Sequence, residues 1–114
     1  MLFKASLLVT VLSALAYAAP PMESRQACAD VTVIFARGTG EVLPIGTVVG
    51  PPFEIALQGA IGGRSLAFIG VEYAASIAGF LEGGDPVGAR MMAADVTSAA
   101  NSCPNTQIVM SGYR

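Results

Sequence analysis

Apolar residues fall in blocks of different length along the chain. The first, Ala5 to Ala19, follows Lys4 and ends in the small-x-small pattern Ala16-Tyr17-Ala18. It falls short of the roughly 20 residues that cross a bilayer. It reads as a secretory signal peptide over 1–18, followed by a short pro-segment or linker over 19–27. The next block, Val31 to Ala36, is continuously apolar and β-branched. That pattern predicts a strand buried on both faces, as in parallel sheets. Arg37 to Gly50 is a glycine-rich loop. Pro51-Pro52 then opens a helix in which Phe53, Leu57 and Ile61 recur at helical spacing, with Gly59, Gly62 and Gly63 ending it. Leu66 to Tyr73 is a second strand, with Gly70 marking a bulge. Ala74 to Gly84 is expected to be a loop. Asp85-Pro86 starts a second helix, Val87 to Ser102, with Met92, Val96 and Ala99 on one side. Pro104-Asn105 breaks it, and Gln107 to Met110 is a third strand.

Strands alternating with helices imply an α/β fold, with parallel pairing and right-handed crossovers. Chemistry in such sheets sits at the carboxyl ends of the strands. Here those ends are Arg37-Gly38-Thr39, Tyr73-Ala74 and Ser111-Gly112-Tyr113.

Composition narrows the chemistry. Hydrophobic residues make up 54 % of the 114 and charged residues 12 %, which excludes a disordered chain. The net charge of −2 leaves no basic surface for nucleic acid. There is no histidine, so every Ser-His-acid, Cys-His or His-metal mechanism is incomplete within these residues. The two cysteines are too few for a zinc cluster. No metal or cofactor is expected. In a secreted chain Cys28 and Cys103 are expected to pair, with two separate thiols the alternative. The bridge would close a loop of about 75 residues, contributing about 4.5 kcal/mol by chain entropy.

Several motifs lead nowhere. Gly38-Thr39-Gly40 with Gly46 is not a dinucleotide fingerprint, because Leu43 stands where a glycine is needed. No lysine follows a glycine-rich turn, so a P-loop is excluded. Glu72 and Asp85 flank one loop, but solvated and capping roles suit them better than a glycosidase pair. Arg37 and Glu41 either pair across the Gly38-Thr39-Gly40 turn or are solvated loop charges.

Three stretches together resemble the cutinase family, small secreted serine esterases of fungi. They are Cys28-Ala29-Asp30-Val31 through Phe35-Ala36-Arg37-Gly38-Thr39-Gly40-Glu41, then Gly46-Thr47-Val48-Val49-Gly50-Pro51-Pro52-Phe53, then Tyr73 to Asp85 with Met92-Ala93, Cys103-Pro104-Asn105-Thr106 and Ile108 to Tyr113. The resemblance implies that residues 28–114 are the amino-terminal βαβαβ part of an α/β-hydrolase-like three-layer sandwich. It implies hydrolysis of carboxylic esters, such as cutin-like aliphatic polyesters, through a serine acyl-enzyme. The protein would be secreted, monomeric if folded, and without a membrane span. Thr39 matches the family's oxyanion-hole hydroxyl residue, whose hydroxyl and N–H face charge that develops in the transition state. Without the resemblance Thr39 is an ordinary turn residue. Ile77, Phe80 and Leu81 either line an acyl-chain groove or, the favoured reading, anchor their loop in the core.

The departures carry as much meaning. The family's nucleophilic serine follows Gly-Tyr directly, and that position is Arg114. The following oxyanion glutamine and the downstream acid and base are not in these residues. The chain as it stands is therefore expected to be inactive. It is also expected to be poorly soluble or molten, because an apolar strand with an open edge invites aggregation. An arginine codon and then a stop is what an unspliced intron gives when it follows the second base of an AG-type serine codon. Genuine truncation is the other explanation. Two alternatives to a cutinase stay open. One is the related acetylxylan esterase branch, which usually carries extra cysteines where this chain has none. The other is a non-catalytic secreted fragment.

Overall fold

β1, Val31–Ala36, is the central strand. In the computed structural model, which describes residues 28–114, it pairs in parallel with β2 (Leu66–Gly70) on one side and β3 (Gln107–Gly112) on the other. The expected signal peptide and pro-segment lie outside the described residues. Val33 stands opposite Phe68 and Val109 in the two registers. Val31, Val33, Ile34 and Phe35 are all buried, so the apolar run was a reliable sign of a strand covered on both faces.

The two faces are covered by different elements. α1, Gly50–Ala60, lays Phe53 against Phe35 and Phe68, with ring centroids 6.3 and 5.5 Å away. Val49 offers its first turn no side-chain cap, but Pro51 and Pro52 have no N–H needing one. The long helix Pro86–Ser102, labelled α3 here, packs on β1 and β3 from the other face. Successive strand residues point to opposite faces, which is how Phe35 meets α1 while Ala36 borders Ala89 and Met92 of α3. Among the described residues, no helix is long and apolar enough to cross a membrane.

Besides β3, which runs on to Gly112 rather than ending at Met110, two elements differ from the sequence reading. β2 ends at Gly70, and the last ladder bond runs from the Val71 N–H to the Phe35 carbonyl at 2.9 Å. Gly70 is not a bulge, since the register runs unbroken through Phe35 opposite Gly70. A Cβ there would lie 2.0 Å from the Pro44 carbonyl oxygen, so the loop after β1 is what requires glycine. The segment expected to be plain loop holds a short helix, α2, Ile77–Leu81. Ser76 caps it, its Oγ accepting from the Gly79 N–H at 3.1 Å. A serine ahead of Ile77, Phe80 and Leu81 was the available signal.

The Cys28–Cys103 disulfide is formed, with Cα atoms 5.6 Å apart. It ties the approach to β1 to the end of α3. Close by, Asp30 and Ser65 exchange hydrogen bonds that join the starts of β1 and β2.

Candidate functional site

A cleft of about 450 Å³ opens where the three strands end, lined by Thr39, Tyr73, Phe80, Asp85, Tyr113 and Arg114 among others. Each strand contributes through the residues that follow it. This is the location expected for chemistry in a parallel sheet.

Thr39 is presented by a loop held from below. Arg37, only 5 % exposed, donates through Nε to the Glu41 carbonyl at 2.7 Å. Its NH2 group reaches the Ala74 carbonyl at 3.5 Å, and its guanidinium lies 5.3 Å from the Tyr73 ring centroid. The other terminal nitrogen, NH1, is buried without a hydrogen-bond partner among the described residues. The Tyr73 hydroxyl donates to the Arg37 carbonyl. Burial of that phenol raises its pKa above the ordinary tyrosine value. The Gly40 N–H donates to the Ala75 carbonyl at 2.8 Å, and Ala75 adopts a left-handed backbone with φ 49°. The Thr39 N–H donates to the Arg114 carbonyl at 2.9 Å.

Glu41 binds backbone rather than a cation. Its carboxylate accepts from the N–H groups of Gly38 (2.7 Å), Thr47 (3.0 Å) and Val48 (2.9 Å). The bonds from Val48, Thr47 and Gly38, with a lesser contribution from the Arg37 charge, hold its pKa below the ordinary carboxylate value. Arg37 and Glu41 do hold the turn together, but through the Glu41 carbonyl rather than a side-chain ion pair.

The apolar residues of α2 are not core anchors, which corrects the favoured reading. Ile77, Phe80 and Leu81 are 69, 51 and 76 % exposed. The inward face of this short helix is Gly79, where a Cβ would sit 3.2 Å from that of Asp85. So little room leaves the large side chains outside. Phe80 lines the cleft, whereas Ile77 and Leu81 are not among its lining residues. Asp85 caps α3, its Oδ1 accepting from the Val87 N–H at 2.9 Å. The sequence placed Tyr73 at a strand end but gave it no role in the site. Its position at the end of an apolar run was the signal. Among the described residues, no group of three or more His, Cys, Asp or Glu is placed to hold a metal ion.

The family model for Cutinase matches residues 27–114. A cutinase of Botryotinia fuckeliana is 55 % identical over 108 residues, covering 95 % of this chain and 53 % of the relative. A cutinase of Coprinopsis cinerea is 49 % identical over 110 residues, covering 96 % of this chain and 55 % of the relative. The chain thus spans about half the length of these curated relatives. Among solved structures, a Trichoderma reesei cutinase in complex with a C11Y4 phosphonate inhibitor superposes with a TM-score of 0.71 at 46 % identity. The match covers 75 % of this chain and 39 % of that one.

Proposed function

This chain belongs to the cutinase family, and from that premise we propose that its cleft receives the carbonyl of an aliphatic carboxylic ester, in a secreted protein that cleaves cutin-like polyesters through a serine acyl-enzyme. The observation that carries the reading is Thr39. It lines the cleft beyond the end of the central strand, with Gly38 tied to Glu41 and Gly40 tied to Ala75. A hydroxyl fixed in that way can stabilise an oxyanion without reorganising when charge appears, while the Thr39 N–H is held by the Arg114 carbonyl. The matched Trichoderma reesei structure holds a phosphonate. A tetrahedral phosphonate has the shape and charge of the intermediate formed when an ester carbonyl is attacked, so it suits a site that stabilises that intermediate.

Phe80 supplies exposed apolar surface at the cleft, and Ile77 and Leu81 extend it along α2. Together they are the proposed groove for the acyl chain, where apolar area rather than hydrogen bonding would select the substrate. Export is supported by the disulfide, which persists in an oxidising compartment. The protein is proposed to act as a monomer.

The 114 residues contain no histidine, and Arg114 stands where the resemblance puts the nucleophilic serine. The chain as it stands is therefore proposed to be inactive, and the test needs two proteins. The first is a full-length protein that contains this chain. It should hydrolyse p-nitrophenyl esters of medium-chain acids, and Thr39→Ala should lower its kcat by about 10²-fold or more. If that protein cleaves acetylated xylan and no aliphatic ester, the substrate assignment is wrong. If Thr39→Ala changes nothing, Thr39 has no oxyanion role. The second protein is the 114-residue chain, which should turn over the same esters no faster than a heat-treated control.

A further inference from the structure

The loop after β1 contains a cradle for a carboxylate, and the chain fills it itself. Three backbone N–H groups, from Gly38, Thr47 and Val48, converge on the Glu41 carboxylate within 3.0 Å. Two glycines clear the space. A Cβ on Gly38 would lie 2.8 Å from Glu41 Oε2, and one on Gly46 would lie 2.5 Å from Glu41 Cδ. Gly46 is also left-handed, with φ +72°. The carboxylate therefore joins the start of the loop to its far end, ten residues along the chain from Gly38 to Val48. Hydrogen bonds to an ionised acceptor are about twice as strong as neutral ones.

This arrangement bears on Thr39. The Gly38 N–H is taken by Glu41, and the Gly40 N–H is taken by Ala75. Thr39 sits between two tethered glycines, and the Gly38 carbonyl also accepts from the Glu41 N–H at 3.0 Å. We infer that Glu41 is the positioning residue for Thr39: its carboxylate, seated in the three-N–H cradle, fixes the Gly38-Thr39-Gly40 turn and so holds Thr39 at the cleft, with the Thr39 N–H on the Arg114 carbonyl. Glu41 is not itself a lining residue of the cleft. A negative charge beside a developing oxyanion would oppose the chemistry. Here the three N–H groups and the Arg37 guanidinium share that charge. The groups facing Glu41 are Arg37, from the end of β1, and Tyr73, from the segment after β2.

The inference rests on the oxyanion reading of Thr39, but its test reads loop order alone. Failure here leaves the kinetic test of Thr39 intact. Hydrogen–deuterium exchange is followed residue by residue on the oxidised 114-residue chain at low concentration. In Glu41→Ala, exchange at Thr39 and Gly40 should rise by about tenfold or more, with β1 and β3 unchanged. Added sodium formate should refill the vacated cradle and restore protection, while sodium chloride at equal ionic strength should not. A purely structural loss would not be rescued by an anion of that shape. Three outcomes overturn the inference: unchanged exchange at Thr39, a rise of equal size throughout the sheet, or formate acting no differently from chloride. Should Glu41→Ala fail to fold, the unsubstituted chain decides the matter by NMR. The amide nitrogens of Gly38, Thr47 and Val48 must shift together in a single titration below the ordinary carboxylate value of 4.5. Separate midpoints, or no shift, overturn it.

Discussion

At the scale of single residues, the loop after β1 is organised by two charged side chains that bond mainly to backbone. Arg37 grips carbonyls from beneath, and Glu41 grips N–H groups from within. This gives the loop a dependence on pH whose sign can be worked out. The folded state holds the Glu41 pKa below its ordinary value of 4.5. The contribution to stability is therefore complete above 4.5 and is lost as pH falls from there through the folded value. Glu41→Gln, which cannot ionise, should be less stable than the parent at neutral pH. The gap between their urea midpoints should stay constant down to about pH 4.5 and shrink below it. A gap that is flat down to pH 2, or one that widens in acid, contradicts the assignment.

At the scale of elements, the site depends on how closely α3 approaches the segment after β2. Gly88 is buried near the start of that helix, and a Cβ there would lie 2.7 Å from Tyr73 Cδ2 and 3.1 Å from its Cγ. The ring cannot retreat easily, because its hydroxyl is bonded to the Arg37 carbonyl and its face carries the Arg37 guanidinium. Gly88→Ala thus sets two effects against each other. Helix propensity favours alanine by about 1 kcal/mol, whereas overpacking against a held ring costs about 1–3 kcal/mol. Overpacking should win, with a net loss of about 1 kcal/mol seen as a lower urea midpoint. The double substitution Gly88→Ala with Tyr73→Leu should recover part of it. A stabilised Gly88→Ala would mean that α3 shifts freely, and that Tyr73 does not fix its distance from the sheet. At the opposite edge of the sheet, β3 exposes Val109 and Met110 at 39 and 62 %, and this is the apolar edge strand that the sequence flags as an aggregation hazard.

At the scale of the whole molecule, a sheet of three strands with one long helix is a small core. The fully buried side chains Phe35, Ile34, Val33 and Val71 come from one strand and the residue after another. Domains of this size have total stabilities of about 5–15 kcal/mol. A disulfide spanning 75 residues removes chain entropy worth about 4.5 kcal/mol from the unfolded state, so it supplies a large share of that total. Reduction with dithiothreitol, or Cys28→Ser with Cys103→Ser, should lower the unfolding free energy by about 2–5 kcal/mol, measured by urea titration followed by circular dichroism. A change below about 0.5 kcal/mol would show that the unfolded chain already keeps these ends together.

Much of this was legible in the residues alone. Val31 to Ala36 suited a doubly buried strand, since it is short, β-branched and apolar except for Thr32. Asp85-Pro86 marked the start of α3 because an N-cap side chain and a missing N–H are local chemistry, independent of the rest of the fold. The family's stretches placed Thr39 beyond the end of β1 for the same reason: local order along the chain is what a sequence records. What it could not record is which distant segments meet. Gly70 read as a bulge because a glycine in a strand has several causes, and only the arrival of the Pro44 carbonyl picks one. Ile77, Phe80 and Leu81 read as buried because they are apolar, yet the limited space beside Gly79 turns them outward. Glu41 and Arg37 read as partners or as solvated charges because opposite charges four residues apart suggest one or the other. The folded loop brings the Thr47 and Val48 N–H groups to the carboxylate instead, and hydrogen-bond donors six and seven residues away leave no mark in composition or periodicity. The sequence determined the strands and the starts of α1 and α3. The tertiary structure decided which groups face the cleft, because that depends on contacts between segments far apart in the chain.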